Sequence, residues 1–143
     1  KKDQRGLTLV ELLAVVVILA IVAAIAFVLI GNVMENSRKD AHIANAQQII
    51  SAAKMYDSTV KPVDNTDGVT LDKLQEEKLI GQKLQNPWKD DTYVTATDVT
   101  VTKDDNGEFS IAGFGVDKCK LGKASESELN KEGRKLCDKT TTP

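Results

Sequence analysis

Histidine is nearly missing from this chain of 143 residues: His42 is the only one, and Cys119 and Cys137 are the only cysteines. That shortage leaves no nucleophile–base constellation and no Cys/His cluster at metal-ligand spacing, and there is no glycine-rich phosphate loop. Aromatic residues make up 4% of the chain, too few for a large aromatic ligand-binding surface. Proline is also scarce, and none precedes Pro62. Basic excess is absent too. The formal net charge is −2, and Lys1, Lys2 and Arg5 are concentrated in the first six residues, so the remainder is more acidic still. A net-acidic chain argues against a non-specific grip on nucleic acid.

What the chain does have is one long apolar run. Residues 12–30 are 19 consecutive positions without a charge, a proline or a glycine. As a helix they would span roughly 28 Å, close to the hydrocarbon thickness of a bilayer. A carboxylate, Glu11, stands just inside the apolar stretch that opens at Leu7. At membrane depth an ionisable group costs ~2.5–3.5 kcal/mol or more unless it is partnered, which marks it as functional. The plain alternative is a side chain snorkelling at the membrane edge.

A secretory signal explains these residues less well. Its apolar region is shorter, ~7–15 residues, and a small-x-small cleavage site follows it. Here the basic head ends in Gly6 before the apolar run, and Gly31-Asn32 follows the run. No cysteine lies near residue 7, which excludes a lipoprotein anchor. Residues 6–13, Gly-Leu-Thr-Leu-Val-Glu-Leu-Leu, closely resemble the processing motif of type IV pilins and type II secretion pseudopilins. In that family a membrane peptidase cuts after the glycine and the new N-terminus is methylated. The resemblance therefore implies cleavage between Gly6 and Leu7 and N-methylation of Leu7. It also implies an assembly role for Glu11, the fifth residue after the cut, whose carboxylate would neutralise a neighbouring subunit's terminal amine. The family usually has phenylalanine where this chain has Leu7. A helix-disrupting proline common in pilins is replaced here by Val28.

Beyond residue 30 the helical pattern returns in another form. Ile43, Ala46, Ile50 and Ala53 recur at steps of three and four, with Ile49 and Tyr56 beside them and polar residues between. One helix of roughly 75 Å is expected from Leu7 to about Tyr56, apolar all round and then amphipathic. His42 is read as surface or stripe filler. Val60 to Gly68 reads as a loop, and Thr70 as the cap of a short helix from Leu71 to Leu79 that stops at Gly81. Trp88 reads as a core anchor, although Asn86-Pro87-Trp88 also resembles a Pro-Trp segment of major pseudopilins and some Gram-positive pilins.

Tyr93 to Thr102 reads as a strand with a bulge or bend near Asp98. Residues 104–107, Asp-Asp-Asn-Gly, form a hairpin turn into Phe109 and Ile111, and Gly113 marks a break. Ser125-Glu126-Ser127-Glu128 is a capping box before Leu129 and Leu136. Outside the membrane, Cys119 and Cys137 are expected to pair, closing a loop of ~18 residues worth ~3 kcal/mol in the loop-entropy model. Asp90, Asp91, Asp98, Asp104 and Asp105 could offer oxygens to calcium, but ordinary turn chemistry is the favoured reading.

The expected fold is α+β and type IV pilin-like: a long N-terminal α-helix packed on a small antiparallel β-sheet domain with a C-terminal disulfide loop. The expected divisions are a basic leader, 1–6; a transmembrane and filament-core helix, 7–30; its amphipathic continuation, 31–57; and a globular part, 58–143. The leading function is a non-enzymatic filament subunit. The basic head places its N-terminus in the cytoplasm while it spans the inner membrane as a precursor. Its partners would be copies of itself, the prepilin peptidase, and the assembly platform and ATPase machinery. A pseudopilin of a secretion or DNA-uptake machine is the alternative within the family. A single-pass anchored receptor is the alternative of another class, and it needs neither Gly6 nor Glu11.

Overall fold

The computed structural model describes residues 2–81, 84–89, 98–116, 118–119 and 121–138, with side chains from residue 6 onward. Its first element, α1, spans Lys2–Thr59 as 58 residues of continuous helix. It therefore starts before Leu7 and passes Gly31-Asn32 unbroken. With no proline in reach, nothing removes a backbone donor, and one glycine costs only about 1 kcal/mol. The chain divides into two compact units, Lys1–Asn36 and Ser37–Pro143.

The first unit is helix alone. Its side chains from Gly6 to Met34 are exposed, apart from the half-buried Ala26.

The second unit contains a four-stranded antiparallel sheet in the order β1-β2-β3-β4, with β1 at Val69–Thr70, β2 at Thr100–Lys103, β3 at Phe109–Ala112 and β4 at Ala124–Ser125. Two short helices, α2 at Leu71–Glu76 and α3 at Glu126–Glu132, precede a 3-10 turn at Gly133–Cys137. The apolar stripe of α1 lies in the core: Ile43, Ala46, Ile49, Ile50, Ala53 and Tyr56 are all buried. They share one cluster with Val101 and Ile111 of the sheet, Leu71 and Leu74 of α2, and Leu129 of α3. Val101 and Ile111 face the same side because they are register partners on neighbouring strands.

The two capping expectations match the structure. The Thr70 hydroxyl accepts from the Lys73 amide, and the Ser125 hydroxyl accepts from the Glu128 amide, 3.2 Å in each case. Each capping residue is also the last residue of a two-residue strand, β1 or β4. Those strands escaped the sequence reading because they are too short to show alternation. Helix α2 ends earlier than expected, at Glu76 rather than Leu79. Lys78 takes the left-handed conformation, φ 58°, and the Leu79 amide bonds back to the Leu74 carbonyl at 3.1 Å. The strained Lys78 backbone turns Leu79 and Ile80 onto the core, whose burial offsets the strain.

The expected hairpin turn is present, with the Gly107 amide bonded to the Asp104 carbonyl at 3.0 Å. Gly113 breaks β3 as expected. Its φ is 78°, and a Cβ there would lie 2.0 Å from the Asp98 carbonyl oxygen. The strand expected from Tyr93 is seen only from Thr100, because residues 90–97 lie outside those described.

Candidate functional site

The apolar half of α1 is the part of the molecule whose chemistry is unexplained by its own fold. Leu7 is 62% exposed and Phe27 81%. By length and composition the helix Gly6–Thr59 can cross a membrane. Gly6, Leu7 and Glu11 lie within one continuous turn-and-a-half of helix, all exposed. A Cβ on Gly6 would meet nothing within 4 Å, so no packing inside the chain requires glycine there. Glycine at that position is then free to serve an outside partner.

The second unit holds the sites that fix its own shape. Cys119 and Cys137 form the expected disulfide, with 18 residues of sequence separation. Four polar pairs join α1 to the C-terminal helices. Lys39 meets Asp138 at 2.9 Å, Asp40 meets Arg134 at 3.1 Å, Gln47 bonds Asn130 at 3.0 Å, and Lys54 bonds Glu126 at 2.6 Å. Ascending numbers on α1 meet descending numbers on the partner segment, so the seam is antiparallel. The sequence reading missed it. Its signal was the four-residue spacing of Glu126, Asn130, Arg134 and Asp138, which puts polar groups on one helical face.

Asp104, and Asp64 in the earlier loop, act as turn chemistry. The Asp104 carboxylate accepts from the Asn106 and Glu108 amides at 2.9 and 2.8 Å. Asp64 accepts from the Asp67 and Gly68 amides at 2.8 and 3.2 Å, and these bonds hold its carboxyl below the usual range. Asp57 is also lowered, first by the Val63 amide and then by Lys103. Asp90 and Asp91 lie outside the described residues. Among the described residues no group of three or more His, Cys, Asp or Glu is placed to hold a metal.

Trp88 is partly buried and packs against the core, which fits the anchor reading. His42 is not a surface residue. It is fully buried, and its Nε2 lies 2.7 Å from the Phe114 carbonyl oxygen. The reason is its phase: it neighbours Ile43 and falls one turn before Ala46 on the buried side of α1. Burial lowers its pKa below the ordinary 6.5, against the weaker upward pull of the Phe114 carbonyl.

With this geometry in place, comparison with known families identifies the N-terminal region. Residues 1–27 match the family model described as the prokaryotic N-terminal methylation motif. This is the prepilin-like motif of type IV pilins and pseudopilins, a structural and not an enzymatic family. The motif together with the apolar helix, the antiparallel sheet and the Cys119–Cys137 disulfide defines an α+β, pilin-like protein. No curated protein and no solved structure matches the chain.

Proposed function

We propose that this protein is the structural subunit of a helical type IV pilus filament, built from membrane-inserted precursors that are cut between Gly6 and Leu7. The carrying observation is the exposed apolar surface of residues 7–30, most of which lies within the matched methylation motif. Such a surface needs a non-aqueous partner at every stage. The bilayer serves before assembly, and the same helices of other copies serve afterwards. Glu11 is the only charge between residues 7 and 30. Its carboxylate sits four residues from the amine that cleavage would release at Leu7. Neutralising the amine of a neighbouring copy removes much of the desolvation cost of both groups and sets the axial register between helices.

A shorter pseudopilus of a secretion or DNA-uptake machine is the second reading. The Asn86-Pro87-Trp88 segment favours it, while the disulfide-closed C-terminal loop favours a pilus proper. Mechanical shearing of cells tests the shared claim. Filaments of this protein in the sheared fraction are the expected outcome, and Gly6→Leu should abolish them by blocking the cut. Protein confined to the membrane fraction of wild-type cells would return it to the anchored-receptor class.

A further inference from the structure

We propose that His42 is an acid-operated latch: when its ring takes up a proton it leaves its buried seat and frees residues 114–116 from α1, while the sheet stays folded. The inference concerns the second unit alone and does not depend on the filament reading.

The seat is specific to the neutral ring. The Phe114 carbonyl can only accept, so Nε2 carries the proton and donates to it across 2.7 Å. The imidazole stacks on the Phe114 ring at 4.3 Å with an interplanar angle of 6°, and the Trp88 ring lies 5.9 Å away. Its other nitrogen, Nδ1, is buried and has no hydrogen-bond partner among the described residues. In the neutral ring Nδ1 is a bare lone pair, which is tolerable. A proton taken from solvent onto Nδ1 makes it a donor with no acceptor among the described residues, on a charged ring packed beside two aromatic rings. The charged form is satisfied only outside the seat.

Among the described residues, charges nearby do not offer an alternative. On α1 the charged neighbours are Arg38, a cation, and Lys39 and Asp40, each held by an opposite charge, Asp138 at 2.9 Å and Arg134 at 3.1 Å. Asp90, Asp91 and Asp117 lie outside the described residues; among those described, the charged residue beside Trp88 is Lys89 and the one beyond Phe114 is Lys118. Both are cations that would oppose an imidazolium.

The moving part has defined ends. Gly113 turns the chain at φ 78° and is pinned by its close approach to the Asp98 carbonyl, so β3 is anchored up to that point. Cys119, tied to Cys137, anchors the far end. Between them, the Val116 amide bonds the Cys119 carbonyl at 2.9 Å and reports on closure. Linkage fixes the sign. The open ring titrates near the ordinary 6.5 and the seated ring lower, so opening is favoured as the pH falls from 6.5 and levels off below the seated value.

The single histidine and single tryptophan make the test unambiguous. The full chain in detergent micelles is titrated with acid, following the His42 ring by NMR, Trp88 fluorescence, and hydrogen exchange at Val116 and Val101. The expected His42 midpoint lies below 6.5, with Trp88 emission changing at the same pH. After correction for intrinsic exchange, opening at Val116 should rise about tenfold per pH unit between 6.5 and that midpoint. Val101 in β2 should keep its protection. His42→Gln, which keeps a donor but cannot titrate, should flatten the Trp88 and Val116 profiles. A wild-type ring titrating at or above 6.5 would overturn the proposal, as would unchanged Val116 protection through the titration. Simultaneous loss at Val116 and Val101 would also overturn it, and the wild-type arms decide even if the variant does not fold.

Discussion

Within one helix, two apolar stretches meet opposite fates. In residues 12–30, Val16 is 55% exposed, Leu19 61% and Phe27 81%; in residues 43–56, Ile49 and Ala53 are wholly buried. Both stretches are helical and both are rich in aliphatic residues, so helix propensity does not separate them. Pattern does. The second stretch gathers its apolar residues, Met55 apart, on one face, which is covered by the sheet, α2 and α3. The first is apolar on every face, and no single sheet could cover it. A stripe asks for a partner on one side, which a chain of this size can provide from its own residues. A helix apolar all round asks for a surrounding medium, either lipid or a bundle of other helices.

The comparison is sharpened by changing each stretch where it is most exposed to failure. The largest effect is expected at Glu11. Glu11→Gln keeps the volume but loses the charge, so the protein should insert in the membrane and be cut, yet give few filaments in the sheared fraction. Glu11→Asp should recover part of the yield. Thermal unfolding of the second unit should be unchanged in both. Wild-type filament yield from the Gln variant would remove neutralisation from the mechanism and leave Glu11 as a snorkelling residue.

Truncating the buried stripe should do the reverse. Ile49→Ala leaves a cavity in the core and should cost ~2–5 kcal/mol in denaturant unfolding. Val17→Ala in the exposed stretch should leave that transition within about 0.5 kcal/mol of wild type. Equal losses from the two variants would contradict the division between self-covered and partner-covered apolar surface.

Replacing Cys119 and Cys137 with serine should destabilise the second unit by ~2–5 kcal/mol, and neither thiol of the wild type should be alkylated without reductant. Quantitative labelling of both in folded surface protein would contradict the pairing. Ser125→Ala removes the acceptor for the Glu128 amide and should cost ~1 kcal/mol. A loss matching that of Ile49→Ala would show that Ser125 does more than cap α3.

The sequence displayed these parts unequally, for physical reasons. Long periodic stretches and local backbone chemistry were legible: the helix, the Thr70 and Ser125 caps, the Asp104 to Gly107 turn and the Gly113 break each follow from a few adjacent residues. The disulfide was legible because only two cysteines exist. Contacts set by tertiary placement were not. Nothing local announces that Lys39, Asp40, Gln47 and Lys54 will meet residues more than seventy positions away. His42 was left between surface and stripe because its partner is a backbone carbonyl that carries no sequence signature; the structure puts it on the stripe. The early end of α2 was hidden likewise, since Lys78 is not a residue that advertises a left-handed turn. Gly6, Leu7 and Glu11 stand differently: they lie within the matched motif, while the fold of the isolated chain gives them no internal task among the described residues.

N-terminal mass spectrometry of protein sheared from the cell surface tests the central claim most directly. If the exposed helix is the assembly surface of a processed filament subunit, the N-terminal peptide should begin at Leu7, carry one added methyl group on its amine, and come from filamentous material. Surface filaments whose subunits retain residues 1–6, or begin elsewhere with an unmethylated amine, would contradict it.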